Sequence, residues 1–353
     1  MIVDHRGRLF YTDQDRQALR RLDAPGAQPV DVATGIASPG GLAIDDRGRI
    51  IVGQGNGIAP AAIGNVAPAA RLLRVSPEGG PVEVLAEGLQ MANGLARAAD
   101  GTIFASSDVG FGIDRVSPDG RVQIRWAQVF SPNGLAIDRT GRWLYAAQTF
   151  QPAQISRVDL QDPSRVEVYA VPSPDAIAAG PDGMTIDGRD RLLVTANAAG
   201  ELWRVDTDRS VCAVGTGLRN ASAVAFGHSD RGFSRGRVFV VGFDGTISEV
   251  PGARVPDADA PPPPAGPATT TTATRPRVVL TPARVRVRGG RATFTPRVTL
   301  DGRPLTRRLR LAGGRTARTG RPLTVVVGAR TRSIPVRFTV RGVVRRRAIA
   351  LVR

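Results

Sequence analysis

One position in a recurring phrase of this chain keeps returning to side-chain oxygen. Pro132-Asn133-Gly134-Leu135 and Pro181-Asp182-Gly183-Met184 share the phrase, and Asn93-Gly94-Leu95 is a shorter version of it. Gly40 in Pro39-Gly40-Gly41-Leu42 and Ser222 before Ala223 hold the same place, so the column reads Gly40, Asn93, Asn133, Asp182, Ser222. Two amides and one carboxylate are hard donors, which suit calcium or another hard divalent ion better than zinc. Softer chemistry lacks its residues. Cys212 is the single cysteine, and with only His5 and His228 beside it there are too few ligands for a zinc cluster and no disulfide framework. Neither histidine stands in a recognisable catalytic context and no G-x-S-x-G is expected, which disfavours a serine hydrolase.

Residues so far apart in sequence meet only if the elements carrying them repeat around a centre. The glycine after the column falls at 41, 94, 134 and 183, with Ala223 in a fifth copy, in steps of 53, 40, 49 and 40 residues. Steps near 40 suit a four-stranded propeller blade. Within each copy, short β-rich runs are separated by D-x-x-G-R-like turns, and a later run has the form I-x-R-V-D, as in Ile155-Ser156-Arg157-Val158-Asp159 and Leu202-Trp203-Arg204-Val205-Asp206. The opening Val3-Asp4-His5-Arg6-Gly7-Arg8-Leu9 fits the same template, giving six units. The reading is an all-β chain whose residues 1–255 form a six-bladed β-propeller, its first blade truncated at the N-terminus. The innermost strand of every blade then runs beside the axis, and the column converges on one point. Taken copy by copy, the alternative is that Asn and Asp before Gly only cap tight turns.

The rest of the chain differs in composition. Residues 256–275, with Pro261-Pro262-Pro263-Pro264 and Thr269 to Thr272, read as a stiff Pro/Thr-rich linker. Residues 276–353 alternate strictly, as in Ala283-Arg284-Val285-Arg286-Val287-Arg288, which argues a small immunoglobulin-like antiparallel β-sandwich with arginines outward. The net charge of +17 is confined there: residues 256–353 hold 22 Arg against three Asp, while residues 1–255 hold 26 Arg against 28 acids. All 48 basic residues are arginine. A coding bias explains that more simply than selection for nucleic-acid contact, so nucleic acid is disfavoured as a partner and an acidic cell-envelope polymer remains a candidate for the basic domain. The start shows no apolar signal-peptide region. The longest uncharged stretch, Ile50 to Ala70, is rich in Gly, Pro, Asn and Gln and reads as a loop, so no membrane span is expected.

At Ser131-Pro132-Asn133-Gly134-Leu135-Ala136 with Arg142-Trp143-Leu144-Tyr145, and at Gly180-Pro181-Asp182-Gly183-Met184-Thr185-Ile186-Asp187, the chain resembles the family of senescence marker protein (regucalcin), gluconolactonase and luciferin-regenerating enzyme. The resemblance spans about residues 1 to 250. It implies a six-bladed propeller with one divalent metal at the axis, calcium first among candidates, and hydrolysis of a small lactone by water at a carbonyl that the ion polarises. Asn133 and Asp182 match the family's metal-binding Asn and Asp, with Asp182 the catalytic carboxylate, and Asn93 matches an Asn that contacts substrate or metal. The family's Asn-Asp-Gly is here Asn93-Gly94. Its remaining ligand, a glutamate in an E-G-P motif, aligns two residues before Met1. The expectation is a natural start further upstream that supplies this glutamate and a signal peptide, with an extracellular or cell-envelope location.

Strand order adds a reading of access. The loops after each second strand lie on the face of the column, so Asp108, Gln148 and Asn197 in those loops are candidate substrate contacts, and Gln54 to Ala70 is either a lid or a surface insertion. The competing function is a non-catalytic secreted or cell-envelope binding propeller carrying a basic sandwich domain.

Overall fold

The chain divides into two compact units, Met1–Ala268 and Thr269–Arg353. The computed structural model describes residues 1–57, 64–110, 112–150, 152–172 and 178–264 of the first, and 278–281, 284–289, 291–300, 303–305, 308–311, 316–326, 332–340 and 343–352 of the second.

The first unit is a six-bladed β-propeller. Five sheets of four antiparallel strands and a sixth of three follow one another along the chain, each in simple up-and-down order. The innermost strands are Ile2–Val3, Pro39–Ile44, Leu95–Arg97, Pro132–Ile137, Pro181–Ile186 and Ala221–Phe226. Each packs beside the next blade, and Ala221–Phe226 packs on Ile2–Val3, which closes the ring.

The second strands are the most apolar, and burial explains their sequence. Ile103–Ser107 and Leu192–Ala196 are buried at every residue. A blade presses a neighbour on each face, so its middle strands carry continuous apolar runs where a half-exposed sheet would alternate. Leu135, Leu144 and Val158 thus meet Phe104 and Ile113 of the preceding blade, and Tyr145, Ala147 and Ile155 meet Leu192 and Val194 of the following one. Outer strands such as Val122–Ala127 are largely exposed.

The turns between first and second strands form the face opposite the column. In Asp4, Asp45 and Asp187 one carboxylate oxygen accepts the main-chain N–H groups two and four residues on, at 2.8–3.0 Å. The other oxygen takes the guanidinium of Arg8, Arg49 or Arg191, also four residues on, at 2.7–2.8 Å. These turns, D-x-x-G-R at Asp4 and Asp45 and D-x-x-D-R at Asp187, are therefore self-contained units in which a buried acid brings its own cation. The propeller's packing continues past its last strand, Ile247–Glu249, through a 3-10 turn at Pro251–Ala253 to buried Val255, Asp259 and Ala260. Asp259 O accepts from Gly188 N at 2.7 Å and its carboxylate from Arg189 at 2.7 Å.

In the second unit a three-stranded and a seven-stranded sheet accompany a core of Leu280, Val285, Phe294, Leu309, Ile334 and Ile349. The pairs are antiparallel except Arg284–Arg288 with Val343–Val352, which run parallel and depart from the purely antiparallel expectation. Arg286, Arg288 and Arg291 are exposed between buried Val285 and Ala292, the outward placement that strict alternation predicts. Among the described residues no helix is long and apolar enough to cross a membrane.

Candidate active site at the propeller axis

Four of the five column residues sit in β-bulges, and Asn93 lies in a bend just before its strand. In the fourth blade Pro132 faces Gln148 and Leu135 faces Ala146, so Asn133 and Gly134 together oppose one residue, Ala147. The same shift falls between Pro39 and Leu42 and between Pro181 and Met184. A bulge re-aims one side chain out of the pleat, here toward the axis, and this replaces the turn-capping reading.

The repeated glycine has a separate cause. A Cβ on Gly41, Gly94, Gly134 or Gly183 would stand 2.3, 2.2, 2.3 or 2.4 Å from the carbonyl oxygen of Asn93, Asn133, Asp182 or Ser222 respectively, the column residue of the next blade. Each glycine lets the following blade bring its column residue close to the axis. Hydroxyls then fix those backbones across the seams: Thr12 Oγ1 donates to Gly40 O (3.1 Å), Ser106 Oγ to Asn133 O (2.6 Å) and Thr195 Oγ1 to Ser222 O (2.9 Å).

The oxygens do meet. Asn133 and Asp182 are 5% and 8% exposed, and the Asp182 carboxylate accepts from the Ser222 hydroxyl and the Asn133 amide. Asn133 Nδ2 also donates to Thr149 Oγ1 at 2.9 Å. Burial above all, with the neighbouring Asp108 charge, pushes the Asp182 carboxyl up to about 8, against the pull of those two hydrogen bonds. Burial likewise raises Asp108, whose carboxylate accepts from the Asn93 amide and whose Oδ1 is buried with no hydrogen-bond partner. The Met1 α-amino group is close enough to feel Asp182, and burial lowers it to about 6.

The loop position two residues beyond the seam hydroxyls is a second ring around the mouth. Gly55, Thr149, Asn197 and Phe243 occupy it in register, each N–H donating to the carbonyl two residues before its own blade's column, at 2.9–3.2 Å. Gln14 and Asp108 hold the same place by strand pairing. Gln14, Thr149 and Asn197 each donate from the side chain to the next blade, on Pro39 O (3.2 Å), Pro181 O (2.9 Å) and Ala221 O (3.1 Å). Asp108, an acceptor, makes no such latch. Gln148 is one residue out of this register. In a strand that one step turns the side chain to the other face, and its amide is spent inside its own blade: Nε2 on Phe130 O at 2.8 Å, Oε1 accepting from Gln154 at 2.9 Å and from the Ser156 hydroxyl. The ring's member in that blade is Thr149.

Asn56 escaped the sequence reading because it lies off the repeat. A Cβ on Gly40 would stand 2.8 Å from Asn56 Cβ, so this amide occupies the space that Gly40 leaves in the column, and its Oδ1 is buried without a partner. The one signal was a column glycine followed by an asparagine in the next loop. Of the expected lid, residues 58–63 lie outside the described residues; beyond them Asn65 Nδ2 donates to Val109 O at 3.4 Å, beside Asp108.

Away from the axis, Gly232-Phe233-Ser234-Arg235-Gly236 does match G-x-S-x-G, against the expectation of no serine-hydrolase signature. No helix follows it, Phe233 is buried, and the Ser234 hydroxyl accepts from Arg237 at 3.4 Å. The nearby His228 is held neutral by burial, which lowers it to about 4, and this is not the strand-to-helix elbow the motif needs. Cys212 is exposed on an outer strand.

The donors at the axis fit a hard divalent ion. The carboxylates of buried Asp182 and half-buried Asp108 repel each other, Asp108 Oδ1 and Asn56 Oδ1 are buried acceptors without donors, and the other donors there are amides and a hydroxyl. Among the described residues no three His, Cys, Asp or Glu cluster, so such a site leans on amide oxygen.

No curated protein matches this chain. Among solved structures, a gluconolactonase from Xanthomonas campestris is similar over 69% of this chain and 82% of its own at 19% identity and TM-score 0.56. The calcium-binding protein regucalcin from Agrobacterium tumefaciens covers 74% and 91% at 17% and 0.55, and a luciferin-regenerating enzyme 75% and 92% at 13% and 0.56. At such identities these likenesses speak to the fold. Residues 110–233, which hold Asn133, Asp182 and Asn197, match the model of the SMP-30/Gluconolactonase/LRE-like region.

Proposed function

We propose that the axial site is that of a divalent-metal lactonase. The observation that carries the reading is the buried Asp182 carboxylate beside half-buried Asp108, with no side-chain cation between them among the described residues, in a propeller where buried Asp4, Asp45 and Asp187 each carry an arginine. Asp182, Asn133 and Asn93 would hold the ion, calcium first among candidates, with Asn56 as a further oxygen donor. When bound, the ion supplies a Lewis acid for a lactone carbonyl.

The side chains supply the rest. Asp182, fixed by Ser222 and Asn133, is the catalytic carboxylate and takes a proton from the attacking water. Water oxygen bonds to the carbonyl carbon, the ring C–O bond breaks, and the departing alkoxide takes up the proton, leaving a hydroxy acid. Asp108 Oδ1, a buried acceptor without a donor, binds a hydroxyl or N–H of the substrate, and Asn197 and Thr149 line the same ring. The family match and the likeness to a gluconolactonase and a regucalcin support this reading. Full-length protein given calcium should open glucono-δ-lactone in a pH-indicator assay, with activity lost to a chelator and restored by metal; chelator-insensitive turnover, or none with any divalent ion, would overturn it.

The outward arginines of the second unit support a separate role there, retention on an acidic cell-envelope polymer outside the cell. Salt-sensitive retention of the full chain on such a polymer tests it, and retention independent of salt counts against it.

A further inference from the structure

The mouth of the axis has two unlike sides. Five of the six ring positions hold Gln14, Gly55, Asp108, Thr149 and Asn197, and the sixth holds Phe243. Phe243 is 68% exposed, although a phenylalanine at a loop tip loses nothing by becoming polar. Its backbone is not loose: Phe243 N donates to Asn220 O at 3.0 Å, the same bond that places Thr149 and Asn197. The register therefore puts the ring above Ser222, whose hydroxyl holds the Asp182 carboxylate. In a ring of six blades the third and sixth are diametrically opposed, so Phe243 faces the Asp108 side across the axis.

We infer that the substrate is amphiphilic: a lactone with an apolar arm of several carbons that lies against Phe243, and a hydrogen-bond donor turned toward Asp108. This rests on the lactonase reading and specifies its substrate class. A bare sugar lactone would leave the aromatic side of the mouth unused. Seating one methylene against an apolar surface is worth about fourfold in affinity, so an arm with three methylenes in contact gains on the order of 50-fold.

The test is a series of δ-lactones with arms from none (δ-valerolactone) to seven carbons (δ-dodecalactone), run with the full calcium-loaded chain. kcat/KM should climb with arm length through KM, and Phe243→Ser should cut the long-to-short ratio at least tenfold. Phe243→Leu, which keeps an apolar side chain, should restore most of it, a rescue that a merely structural role would not give. A flat series, or a ratio unchanged in Phe243→Ser, overturns the inference. Binding of the same lactones by saturation-transfer NMR separates the two readings. Arm-dependent, Phe243-dependent binding without hydrolysis would uphold the amphiphilic site and sink the lactonase, whereas hydrolysis without arm dependence would do the reverse.

Discussion

The two faces of the propeller treat the same residue in opposite ways. On the turn face, Asp4, Asp45 and Asp187 are 2–7% exposed, and each is closed by two main-chain N–H groups and an arginine four residues on. On the mouth face, Asp182 is buried to a similar degree yet has a serine hydroxyl, an amide, another carboxylate and the Met1 α-amino group for company, and no arginine among the described residues. A buried charge costs several kcal/mol unless it is paired. The fold compensates that cost locally in the turns of Asp4, Asp45 and Asp187 and leaves it standing at the axis. Under the lactonase reading, an acid given no arginine in a protein that supplies arginine so freely is kept for an ion that arrives from outside.

The largest expected break in this comparison comes from removing one carboxylate charge on each face. Asp182→Asn should lower lactone kcat/KM by at least about 100-fold and abolish divalent-ion binding, while leaving the metal-free melting temperature unchanged or higher. Asp187→Ala should do the converse. Stripping Arg191 of its partner should cost about 3 kcal/mol in denaturant unfolding with kcat/KM within about twofold. If both variants lose activity alike, or both lose stability alike, the two faces are not functionally distinct.

A smaller effect sharpens how the site is positioned. Ser106 Oγ accepts from Gly94 N at 2.7 Å and donates to Asn133 O at 2.6 Å, joining the glycine after Asn93 to the next column residue. Ser106→Ala should cost about 1–2 kcal/mol for two buried hydrogen bonds and weaken metal binding several-fold, and Ser106→Thr should recover part of both; calorimetric titration reads the affinity and denaturant unfolding the stability.

The smallest effects are in pH. The Asp182 carboxyl is raised to about 8, so the folded metal-free protein holds a proton that the unfolded chain releases from about pH 4. Its contribution is full below that and is lost as pH climbs toward 8. His228 is lowered to about 4, so the unfolded chain takes up a proton first, and stability falls as pH drops from about 6.5 to about 4. Asp182→Asn should flatten the alkaline slope of melting temperature and His228→Phe the acid one, each leaving the other in place.

Much of this was legible in the sequence because it repeats. The glycines at 41, 94, 134 and 183 mark the blades, and the structure gives the reason: a Cβ there would strike the neighbouring column carbonyl. Asn93, Asn133 and Asp182 followed from that column. What did not follow is what the period does not encode. Gln148 and Thr149 are adjacent in sequence and both polar, and only the strand pairing Gln148↔Gln154 shows which one turns inward. Asn56 enters the column from a loop, to fill a space left by Gly40. Phe243 reads as one more apolar residue until its N–H bond to Asn220 places it in the ring. In the second unit, alternation predicted the outward arginines, but no local pattern could have foreseen a parallel pairing between its beginning and its end.

The central claim is that the axis binds one divalent ion through Asp182. Isothermal titration of calcium into the chelator-stripped full chain should give one saturable site, absent in Asp182→Asn and intact in Asp187→Asn. No saturable binding, or equal binding by the Asp182→Asn protein, would contradict it.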